Sequence, residues 1–353
     1  MNKLSTRSVS LIPRAPTGWA LLAACLALCA MPLLLKGYEL FLVSSILIST
    51  LVLAGLNLQV GHAGLLSLGH GAFVALGAYA AAMLVKGGSV PVVLVPLLAG
   101  LVCAGFARLF GVAALRLEGM QFALALFGLA VVAPQLLRYD ALQRWTGGSQ
   151  GIAFTRPAPP PALGLSADAW MYALAAAHLA VVLPLVWRLA RGRTGRAWQA
   201  LHDNPVAASA MGVQVAAYRR RAFVLGAMLG GMGGALQALL VQYVAPDSFS
   251  FMLSITLFVG LVVGGIGAPA GPLLGACFVV LVPNFAEQVS QAATSAIYGA
   301  VVITLVVIDK RGLAGLLPRL LRPARTVIAL RRPARGRGGS HSLPIPSTPG
   351  DAS

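Results

Sequence analysis

Stretches of roughly 20 apolar residues recur along most of this chain, and short polar or glycine-containing links separate them. A helix of about 20 apolar residues is long enough to cross the hydrocarbon core of a bilayer. Charged residues make up only 10% of the chain, whereas soluble domains carry about 25%. The sequence therefore predicts an all-α, polytopic membrane protein.

We predict about ten transmembrane helices from these stretches. The first follows a charged start, as the apolar core of a signal peptide does, but it exceeds the length of about 7–15 residues that is usual for such a core. We therefore expect an uncleaved first helix after a short N-terminal segment, residues 1–17, and a cleaved signal peptide is the alternative. The spans form one transmembrane domain, residues 18–309, and they are 18–35, 39–60, 62–84, 90–115, 119–137, 169–189, 222–244, 251–268, 270–285 and 294–308.

Basic residues indicate how the chain is oriented, because lysine and arginine are enriched in cytoplasmic loops close to the membrane. Seven arginines lie in or beside the loop at 190–221, and nine lysines and arginines follow the last span, whereas the loop at 138–168 contains three arginines. We therefore expect cytoplasmic N and C termini, a cytoplasmic loop at 190–221 and an outside loop at 138–168. Orientation explains the net charge of +17, so we expect no nucleic-acid partner.

The tail, residues 310–353, is basic at first and then rich in serine and proline. It contains too few apolar residues to form a core of its own, and we predict that it is disordered in the cytoplasm. The alternative is that its arginines contact the headgroups of membrane lipid.

The loop at 190–221 has the pattern of two short helices. Apolar residues recur at roughly helical spacing on both sides of Asn204 and Pro205. Asparagine is a favoured helix N-cap, proline favours the first helical position, and Gly212 is suited to ending the second helix. A small helical hairpin held at the membrane by arginines is a docking element for a cytoplasmic partner. The alternative is a plain loop whose arginines only orient the chain.

The sequence lacks the motifs of catalysis. A P-loop requires a Gly-Lys pair, and none of the four lysines follows a glycine. The sequence also has no metal-type His/Cys spacing, no serine nucleophile elbow and no clear carboxylate in the middle of a span, where charges mainly serve proton relays and ion pathways. We therefore expect no enzymatic activity, no cofactor and no metal site, and a proton-coupled transporter would lack its usual groups.

Uncharged polar residues cluster at the junction of the second and third spans, where five of them fall within fourteen positions among four glycines. Non-helical backbone at membrane depth occurs only where it is buried in protein or lines a cavity. We therefore predict a broken segment beside a solute pathway. The alternative is that the glycines permit close packing and the histidines form local hydrogen bonds. The candidate pathway residues are Asn57, Gln59, His62, Ser67 and His70.

Glycines four residues apart recur in the later spans. This spacing lets the backbones of two membrane helices approach closely. We predict helix packing at these positions, and a moving gate built from the same helices is a further hypothesis. The candidate packing residues are Gly226, Gly230, Gly234, Gly260 and Gly264.

Taken together, five stretches resemble the permease family of branched-chain amino acid ATP-binding-cassette (ABC) importers, in particular its LivM-like subfamily. They cover most of residues 40–285 in order, and they are GLNLQVGHAGLLSLGHGAFVALGAYAAAML (55–84), LRLEGMQFALALFG (115–128), TGGSQGI (146–152), GRAWQALHDNPVAASAMGVQVAAYRRRAF (195–223) and YVAPDSFSFMLSITLFVGLVVGGIGAPAGPLLGA (243–276). The resemblance implies a multi-pass subunit of the bacterial inner membrane. It also implies a heterodimer with a second permease, two cytoplasmic ABC ATPase subunits and a periplasmic solute-binding protein.

The resemblance further implies that the loop at 190–221 couples the chain to the ATPases. Many ABC permeases carry an EAA-x3-G motif there. In this chain Val206 stands in place of the glutamate, Gly212 is retained, and the usual Leu-Pro that follows is missing. The candidate coupling residues are Arg196, Asp203, Pro205, Ala207, Ala208 and Gly212.

The implied function is a permease subunit that forms, with its sibling, a path for leucine, isoleucine, valine or a similar small solute. Urea and short amides are alternatives, because the family also includes permeases for them. His70, within SLGHG, is more similar to the amino-acid branch. Two rival hypotheses are an ion-coupled secondary transporter that works alone and a membrane scaffold that binds partners through its basic loop and tail.

Overall fold

The structure is a computed structural model that describes residues 31, 35–88, 90–117, 119–161, 164–289, 294–309 and 312–316. The predicted N-terminal segment, residues 1–17, lies outside the described residues. So do all of the first predicted span except Met31 and Leu35, and all of the predicted tail except residues 312–316.

Helices make up most of the described chain, which confirms the all-α prediction. The helices are α1 (Tyr38–Asn57), α2 (His70–Lys86), α3 (Val95–Ala114), α4 (Gly119–Arg138), α5 (Gln143–Thr146), α6 (Ala167–Arg191), α7 (Arg193–Asp203), α8 (Pro205–Ala210), α9 (Val215–Val241), α10 (Phe251–Gly264), α11 (Gly271–Val289) and α12 (Thr294–Ile308). Short 3-10 turns lie at Val92–Leu94, Asp140–Leu142, Gly148–Gln150 and Pro246–Phe249. The strands of the described chain are β1 (Ile152–Ala153) and β2 (Tyr243–Val244).

Five helical segments within the described residues are long and apolar enough to cross a membrane: Tyr38–His62, Val92–Ala114, α4, α6 and α9. Helices α2 and α10 are apolar but shorter. The count of ten spans remains a prediction.

Two predicted spans extend beyond the observed helices at their glycine-rich ends. The third span, predicted from residue 62, begins as helix α2 at His70. The eighth, predicted to residue 268, ends as α10 at Gly264. The chain has positive φ at Gly64 (67°) and Gly265 (113°), and a right-handed helix cannot continue through such angles.

The described helices run between two faces of the molecule. On one, β1 pairs antiparallel with β2, with Ile152 opposite Val244, and the Arg138 guanidinium at the end of α4 forms an ion pair with the Asp247 carboxylate. On the other, α7 lies beside residues 58–62 at the end of α1, and α8 packs against α7 and α9. We call these the loop face and the elbow face, and residues 193–212, which contain α7, α8 and the cap of α8, the elbow.

Helix α9 lies at the centre of the bundle and packs against α1, α2 and α3. Its glycines allow this approach: a β-carbon on Gly234 would lie 2.0 Å from the Val74 carbonyl oxygen. Gly226 and Gly230 lie against the side chains of Gln59 and His70, respectively. At Gly234 the backbones of α9 and α2 are therefore in direct contact, whereas at Gly226 and Gly230 the missing β-carbon makes room for a polar side chain.

The other predicted glycine pair brings α10 against α11. A β-carbon on Gly260 would lie 2.3 Å from Val279 Cγ2, and one on Gly264 would lie 2.2 Å from the Gly271 carbonyl oxygen. Two antiparallel helices joined by the turn at residues 265–270 are thus held close at the elbow face.

Candidate functional site

The helix breaks where the polar cluster begins. Helix α1 widens into a π turn, Leu58–His62, and regular helix resumes only at His70. The backbone N–H of Leu65 donates a hydrogen bond of 2.9 Å to the Gln59 carbonyl. This bond pairs one backbone donor and one backbone acceptor inside the break. We call residues 58–69 the first break. Single π turns often occur at functional sites.

Two of the five candidate pathway residues are buried against helix α9. Gln59 is fully buried, and its Nε2 donates a hydrogen bond of 3.0 Å to the Phe223 carbonyl. His70 is also fully buried, with its Nε2 3.2 Å from the Val52 carbonyl. Both side chains thereby hold the first break against neighbouring helices.

Three buried polar atoms around the first break have no hydrogen-bond partner within the described part of the chain. They are Gln59 Oε1, Ser67 Oγ and His70 Nδ1. An unsatisfied buried polar atom destabilises the folded state by about 1–3 kcal/mol. Such atoms are few in native proteins, and each calls for an explanation, such as a water or a functional role.

Asn57 joins the first break to the turn between α10 and α11, residues 265–270, which we call the second break. Its Oδ1 accepts a hydrogen bond of 2.8 Å from the Gly267 N–H, and its Nδ2 donates one of 3.3 Å to the Ala268 carbonyl. A β-carbon on Gly61 would lie 2.5 Å from Gly267 N. The amide side chain thus satisfies backbone groups that the turn leaves without a helical partner.

A cavity of about 660 Å³ lies between the two breaks, helix α6 and the elbow. It contains Asn57 and His62 from the predicted pathway and Arg196 and Asp203 from the predicted coupling set. Its remaining lining residues are Ala54, Gly61, Leu183, Val186, Trp187, Ala190, Arg191, Gln199, His202, Ile266, Gly267, Pro269 and Pro272. We call it the elbow cavity.

Sequence reasoning missed Gln199 and His202 as lining residues. The signal was present, because residues 196, 199 and 203 are spaced three and four apart and so share one face of helix α7. What the sequence did not show is that this face is turned toward the first break. A β-carbon on Gly64 would lie only 2.9 Å from His202 Nδ1.

The elbow has the two helices that the sequence predicts. Asn204 caps α8, and its Oδ1 accepts hydrogen bonds of 3.0 Å from the N–H groups of Val206 and Ala207. Gly212, with a φ of 82°, ends it, and the Val213 N–H bonds the Ala208 carbonyl over 3.0 Å in a Schellman pattern.

A buried tryptophan anchors the elbow to helix α9. Trp198 is fully buried, and its Nε1 donates a hydrogen bond of 2.9 Å to the Tyr218 carbonyl. The contact between Gly195 and the Ala190 backbone is also close, since a β-carbon there would lie 1.7 Å from the carbonyl oxygen. The elbow is thus packed as part of the bundle and is not a loose loop.

The tip of the elbow exposes apolar side chains. Val206 is 78% exposed and Met211 is 85% exposed, whereas Ala208 is only 5% exposed and faces inward. Of the other candidate coupling residues, Ala207 and Gly212 are exposed at the tip, and Pro205 is the first residue of α8. Val206 and Met211 are thus the large apolar side chains exposed at this tip.

The model of a permease family matches residues 37–307, and its description is branched-chain amino acid transport system, permease component. The chain belongs to this family. This result confirms the resemblance found in the five stretches of sequence. The matched range contains both breaks, the elbow and the elbow cavity.

Two similar proteins are high-affinity branched-chain amino acid transport system permease proteins LivM. The one from Salmonella typhimurium LT2 is 30% identical over 71% of this chain and 64% of its own length. The one from Escherichia coli K12 is 29% identical over the same shares. The match thus spans less than two thirds of the length of these relatives.

A further relative is the autoinducer 2 import system permease protein LsrC of Enterobacter sp. strain 638. It is 30% identical over 58% of this chain and 60% of its own length. No solved structure matches this chain. Within the described residues, no group of three or more His, Cys, Asp or Glu side chains could hold a metal ion.

Proposed function

We propose that this chain is a permease subunit of an ABC importer and forms, with a sibling permease, the path of a branched-chain amino acid or a similar small solute. The observation that carries the proposal is the family match over residues 37–307 in a sequence without a P-loop lysine. A permease of this kind depends on separate ATPase subunits, and a periplasmic binding protein delivers its solute.

The proposed topology is a ten-span protein of the bacterial inner membrane with both termini in the cytoplasm. The arginines in and beside the elbow favour a cytoplasmic elbow face. The pairing of residues 152–153 with 243–244 supports one shared outer face, because it joins the predicted outside loop to the end of α9.

The proposed coupling route runs from the apolar tip of the elbow through α7 to the first break. Val206 and Met211 provide the exposed surface on which an ATPase would dock. His202 lies against Gly64, so a movement of α7 acts directly on the first break. The buried Gln59, Ser67 and His70 would then meet solute only when the first break separates from α9.

The solute class rests on two of the relatives and on the chemistry of the first break. Amides, hydroxyls and histidines, with no carboxylate among them, suit a small polar or zwitterionic solute better than a cation. The relatives include permeases for branched-chain amino acids and for autoinducer 2. An uptake path for urea or short amides is the second candidate, since the same amide and hydroxyl groups would bind these solutes.

Reconstitution tests the proposal. Proteoliposomes that contain this chain, its sibling permease, the two ATPases and the binding protein are expected to accumulate labelled leucine, isoleucine or valine only when ATP is supplied. Vesicles with this chain alone, given a proton or sodium gradient, are expected to show no uptake. Gradient-driven uptake by the chain alone would instead identify a secondary transporter.

A further inference from the structure

We propose that the elbow cavity binds a zwitterionic, apolar amino acid from the elbow face and that its occupancy restrains the elbow, so that accumulated solute slows the importer. The link to accumulated solute rests on the proposed function. The binding site itself rests on the groups that line the elbow cavity.

The polar wall of the elbow cavity carries both signs of charge. Arg196 and Asp203 lie seven residues apart on α7, and both side chains line the cavity. A guanidinium binds a carboxylate through two parallel hydrogen bonds, and a carboxylate accepts from an ammonium group. The two ends of a zwitterion would therefore each find an opposite charge on one helix face.

These two charges are not engaged elsewhere in the described structure. The ion pairs there join Arg138 to Asp247 and Arg156 to Asp168. Neither Arg196 nor Asp203 forms an ion pair or a side-chain hydrogen bond with another described residue. Gln199 adds an amide group on the same face of α7.

The rest of the lining is largely apolar and suits a branched side chain. Its apolar members include Leu183 and Val186 of α6 and Ile266 and Pro269 of the second break. A volume of about 660 Å³ lies within the usual range for small-molecule sites, about 300–1,000 Å³. An apolar wall with a few convergent polar groups is the common design of such sites.

Occupancy would affect the elbow because the lining comes from six segments: the end of α1, the first break, α6, α7, the second break and the start of α11. A ligand that touches α7 and the other segments favours the arrangement in which they stay together, and it shifts the equilibrium by its difference in affinity for the two arrangements. Movement of α7 away from the first break would open the elbow cavity. The bound amino acid therefore opposes the movement that coupling requires.

The first test measures ATP hydrolysis by the complete importer in proteoliposomes with the ATPases facing outward and leucine titrated into the outer solution. We expect leucine to inhibit hydrolysis. For each variant, inhibition is measured relative to its own rate without outer leucine. Arg196→Gln and Asp203→Asn are expected to raise the leucine concentration for half-inhibition at least tenfold, because each removes a charge-assisted hydrogen bond. Arg193→Gln, on the same helix but outside the elbow cavity, is the matched control and is expected to keep wild-type sensitivity.

The second test measures binding of labelled leucine to the complete importer without its binding protein, and it does not depend on activity. We expect 4-methylpentanoate, which lacks the ammonium group, and 3-methylbutylamine, which lacks the carboxylate, to compete at least tenfold more weakly than leucine. Arg196→Gln is expected to weaken leucine binding by a similar factor.

Three results would overturn the proposal: no inhibition by outer leucine, equal leucine binding by wild type and Arg196→Gln, or an equal loss of sensitivity in Arg193→Gln. If the importer carries a different solute yet leucine binds with the expected dependence on Arg196, the site stands and only the solute assignment of the proposed function fails.

Discussion

Replacing both exposed apolar side chains at the tip of the elbow, Val206→Glu with Met211→Glu, is expected to weaken binding of the ATPase to this chain by at least about a hundredfold. The two side chains are 78% and 85% exposed, and they are the large apolar groups that α8 and its cap present to a partner. Anchoring residues at protein interfaces each contribute about 2 kcal/mol or more, and every 1.4 kcal/mol is about tenfold in affinity.

Copurification of the ATPase with the tagged permease, followed by a titration of the affinity, measures this effect. The matched control is Tyr139→Glu, which places the same charge on an apolar residue that is 63% exposed at the loop face. The control is expected to retain full ATPase binding. Equal binding by the double variant and wild type would show that the tip of the elbow is not the docking surface.

Ala208→Glu is a poorer probe of docking, although Ala208 belongs to the predicted coupling set. Ala208 is 5% exposed and packs in the same apolar cluster as Trp198. A carboxylate there would be buried without a partner, which destabilises the fold itself. A loss of ATPase binding in that variant would therefore not separate docking from folding.

Gly234→Val is expected to destabilise the chain by about 3 kcal/mol or more, because overpacking of this size forces the backbone to move. A β-carbon there would lie 2.0 Å from the Val74 carbonyl oxygen, and that oxygen belongs to the backbone of α2, so it cannot rotate away. Thermal unfolding in detergent, followed by size-exclusion chromatography, is expected to show a midpoint lowered by roughly 10 °C and a smaller yield of folded protein.

Gly105→Val is the matched control for this experiment. Gly105 also lies within an apolar helix, α3, but a β-carbon there would meet no atom of the described chain within 4 Å. The intrinsic helix preference of valine over glycine is the same at both positions, so the difference between the variants isolates packing. Equal midpoints for the two variants would contradict close packing of α9 on α2.

Features that depend on local chemistry were predictable from the sequence. The elbow is one case. Asn204 directly before Pro205, and Gly212 seven residues after that proline, specify both ends of α8 without reference to the rest of the fold. Helix α12 also ends at the predicted residue, 308.

Helix α9 shows where apolarity alone misleads. Its span was predicted from residue 222, whereas the helix begins at Val215 and includes Arg219 to Arg221. A hydropathy pattern marks where a helix enters the apolar layer. The helix itself continues as far as its backbone hydrogen bonds do. The predicted span and the observed helix therefore differ by seven residues at one end.

The elbow cavity could not be predicted, because it depends on contacts between distant segments. Asn57 meets Gly267 and Ala268 more than 200 residues later in the chain. The cluster from Asn57 to His70 was identified as one group of polar residues, yet its members diverge. Asn57 and His62 line the elbow cavity, whereas Gln59 and His70 are buried against other helices.

The side of the membrane on which the elbow lies tests the central claim most directly. Ser149 at the loop face and Ser209 on the elbow are both exposed, so Ser149→Cys and Ser209→Cys, each in a background without the four native cysteines, report the two faces. We predict that an impermeant thiol reagent labels Ser149→Cys in intact cells and labels Ser209→Cys only after the inner membrane is opened. Labelling of Ser209→Cys in intact cells to the same extent as Ser149→Cys would contradict the claim that the elbow lies in the cytoplasm and is moved by a cytoplasmic partner.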